Sequence, residues 1–203
     1  MSGSLFIISA PSGAGKSSLL ARVIQHLPNA QLSISHTTRA KRSGEVDGEN
    51  YFFVDELTFS SMQKQNDFLE SAQVFQHHYG TSKSKVLEAL AHGTDVILEI
   101  DWQGAEQVRS VIPNAISVFI FPPSFTTLKQ RLVDRNTDDE STIALRLTEA
   151  FEDITHYCNY DFIVINDDFE TAATELSAIL RTPSLKTQNQ QATIQAILDD
   201  FTH

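Results

Sequence analysis

Cysteine is almost absent from this chain: Cys158 is the only one in 203 residues. No intrachain disulfide can form, and a zinc site built on several thiolates is excluded. A lone thiol of this kind is expected to be packed as a small apolar group, buried or half-buried, and not used as a nucleophile. Long hydrophobic runs are also missing. Stretches such as Leu5 to Ile8 and Val118 to Phe121 fall far short of the roughly 18 residues that a membrane-spanning helix requires. The N-terminus has neither a basic segment nor the apolar run of about 7–15 residues of a secretory signal, so a cytoplasmic location is expected. Positive charge is scarce as well. With 15 Lys and Arg against 26 Asp and Glu, a net of −11, the chain repels a nucleic-acid backbone or an anionic membrane at long range. Neither is an expected partner, and any phosphate bound here needs a local site.

Apolar residues make up 41% of the chain, enough for a real core, and the length fits one compact unit carrying an inserted lobe or two. Leu5-Phe6-Ile7-Ile8-Ser9 reads as a buried strand, cut off by Ala10-Pro11-Ser12-Gly13-Ala14-Gly15. Between Ser17 and Leu27, the residues Leu19, Leu20, Val23, Ile24 and Leu27 share one face at helical spacing, and Pro28-Asn29 stops the helix. Strands are read at Asp95 to Ile100, Ala115 to Phe121 and Asp161 to Ile165, alternating with helices at Gly104 to Ile112, Ser124 to Val133 and Glu170 to Leu180. This alternation predicts an α/β fold whose parallel sheet is covered by helices on both faces.

The rhythm breaks between the first unit and Asp95. Tyr51-Phe52-Phe53-Val54 and Phe68 to Phe75 read as strands separated by turns and short helical pieces, so roughly residues 36–93 form an inserted lobe. Thr182 to Gln191 is polar enough for a linker. Beyond it, Ile194, Ile197, Leu198 and Phe201 make an apolar stripe on a helix at about 191–203. That stripe is expected to fold back on the core, which avoids association entropy, with a second subunit as the alternative cover.

The strongest chemical signal is Ala10-Pro11-Ser12-Gly13-Ala14-Gly15-Lys16-Ser17, a phosphate-binding loop between a strand and a helix. Its glycines let several backbone N–H groups converge on one anion, and the helix adds its positive end. Lys16 is suited to the outer phosphates and the Ser17 hydroxyl to Mg²⁺. The usual opening glycine is Ala10, which is tolerated if its φ stays negative.

A second cationic feature lies in the inserted lobe. Thr37-Thr38-Arg39-Ala40-Lys41-Arg42-Ser43-Gly44-Glu45 crowds three cations into four residues of an acidic protein. Arginine pairs bidentately with phosphate, so Arg39 and Arg42 could grip a second anion; a solvated basic loop is the equal alternative on this segment alone.

With the phosphate loop and this basic segment stand Gly48, Tyr51, Tyr79-Gly80, Leu98-Glu99-Ile100-Asp101, Gln103-Gly104 and Asn166-Asp167-Asp168-Phe169. In order and spacing, over about residues 4–180, this set resembles the guanylate kinase family. The resemblance implies Mg²⁺-dependent transfer of the ATP γ-phosphate to GMP, with dGMP as a further candidate acceptor. It also implies a core at about 1–35, 94–125 and 156–190, a mixed α/β GMP-binding lobe at about 36–93 and a helical lid at about 126–155. Whether the chain is a monomer or a homo-oligomer stays open.

By the same resemblance, Ala10 to Ser18 hold the ATP phosphates, with Asn166 and Asp168 near the adenine. Arg39, Arg42, Tyr51 and Tyr79 cage the GMP phosphate. Ser35, Glu70, Thr81 and Asp101 form the base side of the GMP site, to which Glu99 also belongs. Carboxylates suit guanine's N1–H and 2-amino donors, and adenine would leave them unpaired. Asp101 is also a candidate for the outer shell of Mg²⁺ or a turn cap. Arg135 and Arg146, then Arg131, are expected as lid cations that, with Lys16 and Arg42, take up charge during transfer; salt bridges to Asp134, Asp138 and Glu140 are the alternative for the lid arginines.

Asn136 and Lys41 stand where the family commonly has glycine and proline, a difference in loop stiffness. Three rival readings compete with this one: the same architecture with another acceptor, a non-catalytic interaction module, and a nucleotide-dependent switch. Glu70 with Asp101 disfavours the first, and the complete Gly15-Lys16-Ser17 the second. The third predicts one triphosphate site and no second phosphate acceptor.

Overall fold

A computed structural model describes residues 3–74, 76–134 and 139–201. Five parallel strands form the central sheet in the order β2-β7-β1-β8-β9, with β1 at Leu5–Ser9, β2 at Ala30–Leu32, β7 at Asp95–Glu99, β8 at Ile116–Phe121 and β9 at Phe162–Ile165. Every residue of β1 is buried, as expected for the middle strand of a sheet covered on both sides. Side chains alternate between faces at the strand period. Phe6 and Ile8 pack with Ile97, Val118, Ile120 and Val164 against α1 (Lys16–Ile24) and α7 (Phe169–Arg181). Leu5 and Ile7 pack on the other face with Val96, Leu98 and Phe119, under α3 (Lys83–Ala91) and α4 (Trp102–Val111).

A second, four-stranded sheet has the order β4-β3-β6-β5, formed by β3 (His36–Thr37), β4 (Phe52–Phe53), β5 (Phe68–Val74) and β6 (His77–Ser82). Its strands pair antiparallel except β3 with β4, so this lobe is mixed. Helix α2 (Glu56–Lys64) starts at Asp55, whose carboxylate accepts the Thr58 N–H at 2.7 Å, and buries Phe59. Two further helices, α5 (Phe125–Asp134) and α6 (Glu140–Thr155), join through Leu128, Leu132 and Ala150, with Ile143 and Leu147 alongside. Among the described residues no helix is long and apolar enough to cross a membrane.

Three expectations are corrected. Residues 182–191 do not form a linker: a 3₁₀ turn at Thr182–Leu185 leads into α8 (Thr187–Asp200), tied back by Asn189 Nδ2 and Gln190 Nε2 donating to the Pro183 and Ser184 carbonyls at 2.8 Å. Helix α8 does not fold back on the core. None of its residues is buried, and the Ile194, Ile197, Leu198 and Phe201 stripe is exposed. Cys158 is exposed, since it lies in the short turn Tyr157–Asn159, which buries nothing.

The start of β8 and the entry to β9 are joined by side chains. Ser117 donates its N–H and its hydroxyl to Asp161 Oδ2 at 2.8 and 2.7 Å, and the Asp161 N–H donates to Ser117 Oγ at 3.1 Å, all around a fully buried serine. Asp161→Ala leaves that serine unsatisfied. It is expected to cost about 1–3 kcal/mol, read as a lower urea midpoint with an unchanged slope.

Candidate active site

The carboxyl ends of β1 and β7 open into a cleft of about 530 Å³, where an open parallel sheet places its ligands. Lys16, Ser17, Glu99 and Asp101 line it from the parallel sheet, Ser35, Tyr51, Glu70 and Tyr79 from the second sheet, and Arg146 from α6. Gly13 and Gly15 take φ of 91° and 92°, the left-handed conformation the phosphate loop requires, whereas Ala10 keeps negative φ and so needs no glycine.

The loop is braced from behind. Asn166 Nδ2 donates to the Ala14 carbonyl at 2.7 Å, and a Cβ on Gly15 would stand only 2.4 Å from that nitrogen. Arg131 donates to the carbonyls of Ala14 (3.4 Å) and Asn166 (3.1 Å). Lys16 Nζ reaches the Ile100 carbonyl at 3.4 Å, and the Ser17 hydroxyl donates to Glu99 Oε1 at 2.5 Å.

Opposite the loop, Glu70 is 4% exposed and accepts from the Thr81 hydroxyl at 2.5 Å; Ser35 Oγ lies 3.4 Å from the same hydroxyl. Burial pushes Glu70 up to about 7, opposed by the Thr81 bond and aided by the negative Asp101. Asp101 lines the cleft and also caps α4, accepting the Gly104 N–H at 2.8 Å.

Tyr51 and Tyr79 meet edge to face, with centroids 5.8 Å apart. Next to them the Arg39 guanidinium lies over Tyr51 and is held bidentately by Glu45, Nη2 to Oε1 at 2.7 Å and Nη1 to Oε2 at 3.0 Å. The Arg42 N–H also donates to Glu45 Oε2 at 2.7 Å. These contacts, the Arg39 bond foremost, hold the Glu45 carboxyl down at about 2.

The structure thus brings together in one cleft the phosphate loop, Ser35, Tyr51, Glu70, Tyr79, Glu99, Asp101 and Arg146. Other expected residues lie elsewhere. Arg39 and Arg42 stand outside the lining, Arg39 turned to Glu45 and Arg42 exposed. The Arg131 guanidinium faces the carbonyls of Ala14 and Asn166 behind the loop and is absent from the lining. Asn166 is buried behind the loop, and the Asp168 carboxylate caps α7 by accepting the Thr171 N–H at 2.8 Å. Arg135 lies outside the described residues.

Among the lining residues that sequence reasoning missed are Trp102, Glu149, Glu152 and Asp153. Trp102 stacks on His156 with centroids 3.6 Å apart and so ties the start of α4 to the end of α6. Glu149, Asp153 and Arg146 fall on one helical face by spacing, the available signal. Burial, with Asp101 adding and Lys16 opposing, pushes Asp153 up to about 7. Among the described residues no group of three His, Cys, Asp or Glu could hold a metal ion. A hydroxyl backed by one carboxylate, at Ser17 and Glu99, fits a Mg²⁺ that keeps phosphate oxygens and water as most of its ligands.

A loop of this geometry at the head of a parallel sheet, facing the buried Glu70 and the half-buried Asp101, marks the chain as a P-loop nucleotide kinase. Comparison with known proteins narrows the class. The guanylate kinase family model matches residues 2–183. Guanylate kinases of Saccharophagus degradans and Pseudomonas fluorescens are 52% and 51% identical over 199 residues, covering 98% of this chain and 97% of each relative. The crystal structure of guanylate kinase from Anaplasma phagocytophilum superposes with a TM-score of 0.76 at 32% identity, covering 92% of this chain and 88% of the other. The chain belongs to the guanylate kinase family and is an ATP:GMP phosphotransferase.

Asn166→Ala removes the brace on Ala14 and is expected to raise the KM for ATP about tenfold, the loss of one well-formed buried bond, with the KM for GMP within about threefold of wild type. Initial rates with each nucleotide varied in turn check this.

Proposed function

We propose that Glu70 and Asp101 read the guanine of GMP while the phosphate loop holds the β- and γ-phosphates of ATP across the same cleft. The observation carrying this reading is the buried Glu70 carboxylate, fixed by Thr81 and facing the cavity that Lys16 and Ser17 enter from the other side. An ionised carboxylate accepts from guanine N1–H and the 2-amino group. Adenine offers neither donor there, so AMP would leave a buried acid unpaired.

Transfer on this reading uses no protein nucleophile. A GMP phosphate oxygen attacks the γ-phosphorus in line, the bond from that phosphorus to the β-bridging oxygen breaks, and ADP leaves. Lys16 and the loop amides hold the donor, and Arg146 takes up charge spread over the moving group. Tyr51 and Tyr79 receive the GMP phosphate with Arg39 and Arg42 beside them, which requires the lobe at 36–93 to close over the cleft. Closure, with the lid at 126–155, excludes water as a competing acceptor. Mg²⁺ would be held at Ser17 with Glu99 behind it, neutralising phosphate charge when bound. A cytoplasmic setting supplies ATP and Mg²⁺.

Lys16→Ala is expected to lower GDP formation at least about a hundredfold with the fold intact, and a coupled ADP-release assay with GMP, dGMP, AMP, CMP and UMP tests the acceptor assignment. Undiminished turnover, or equal use of AMP and GMP, would remove the respective roles.

Acidification gives a signature of opposite signs. Glu70 sits at about 7, above its ordinary 4.5. Below that pH the free protein favours the protonated acid, so Glu70 makes it more stable at pH 6 than at pH 8. GMP needs the charged form, so its KM should rise roughly tenfold per unit below the pKa. In Glu70→Gln the KM should be high at pH 8 and its dependence flattened to the titration of the nucleotide phosphate near about 6.

A further inference from the structure

Asp101, Gly104 and Gln107 follow one another at three-residue spacing along the start of α4, and each meets the acceptor side differently. The Gln107 amide pairs with both backbone groups of Ser71, accepting its N–H and donating to its carbonyl at 3.0 Å each. A side chain of α4 thereby acts as a neighbouring strand to β5 at the residue after Glu70. Gly104 is the point of closest approach. A Cβ there would stand 2.8 Å from Glu70 Oε2, 3.3 Å from Glu70 Cδ and 3.4 Å from Asp101 Oδ1. Its backbone makes no demand for glycine, because its φ is not left-handed, and alanine is the better helix former.

We infer that Gly104 is a positioning residue for guanine discrimination: its missing methyl lets the two carboxylates sit close enough to read one base edge. The inference rests on the assignment of Glu70 to guanine. Glu70 cannot step aside without moving its reading atoms, because Oε1 is held by Thr81 and the side chain is buried. A methyl at 104 would shift Oε2 by about 0.5 Å, the shortfall from an ordinary contact. The displaced atoms are the tip of one side chain, so the fold tolerates what recognition does not.

Gly104→Ala is the test, with GMP binding read from the emission of Trp102, the only tryptophan and part of the cleft lining. Expected are a melting temperature equal to or above wild type, an unchanged KM for ATP, and a KM for GMP raised at least about tenfold with kcat within about threefold. Glu70→Asp retracts the carboxylate by one methylene. It should weaken GMP use alone yet recover part of the loss in the Gly104→Ala background, a non-additivity that a purely structural role would not give. A normal KM for GMP in Gly104→Ala, equal losses for ATP and GMP, losses that simply multiply, or a chain that does not fold would each overturn the inference. Wild-type GMP use by Glu70→Gln would remove the base-reading assignment itself, and this inference with it. Loss in Glu70→Gln beside no loss in Gly104→Ala would overturn the positioning role alone.

Discussion

Three consecutive residues at the carboxyl end of β7 carry the cleft. Glu99 accepts the Ser17 hydroxyl, the Ile100 carbonyl meets Lys16, and Asp101 caps α4 and faces Glu70. A strand rises about 3.3 Å per residue, so the phosphate-loop side and the Glu70 side of the cleft are registered within two residues of one rigid, doubly covered strand. Parallel pairing of β7 with β1 fixes this end against the phosphate loop, since Ile8 lies opposite Glu99 and the Ile100 N–H donates to the Ile8 carbonyl. Loops hold the ligand groups, but the sheet sets the distance between them.

The sequence made the central sheet legible because its strands are short, apolar and bounded by turn residues, and the observed strands fall on the segments read from Leu5, Asp95, Ala115 and Asp161. It did not show β2, three residues of an edge strand (Ala30-Gln31-Leu32) with only half an apolar pattern. The phosphate loop was legible as chemistry, whereas Glu70 was not: nothing about Phe68-Leu69-Glu70-Ser71 distinguishes a buried acid from a surface one, and only the family resemblance singled it out. Arg131 and the acids of α6 show the other limit. Spacing puts a side chain on a helix face, but which neighbour that face meets is decided by tertiary packing.

An acidic protein that binds two polyanions has to limit the field of its own carboxylates. On the proposed reading the donor phosphates are held by main-chain amides and one lysine, which add no counter-charge of the wrong sign. Two of the acids nearest Lys16 and Asp101 are buried enough to share a proton with solvent near neutrality, Glu70 and Asp153, both at about 7. Desolvation that would be a liability elsewhere softens the negative potential of the cleft.

The grip of Glu45 on Arg39 fixes the guanidinium before any ligand arrives. Both terminal nitrogens are fixed in a planar fork, and the turn that presents Glu45 passes through Gly44 at a φ of 87°. Arginine loses up to about 2 kcal/mol of rotamer freedom when immobilised. In this protein that freedom is lost once, as the chain folds, so a guest arriving at the lobe meets a host that is already rigid.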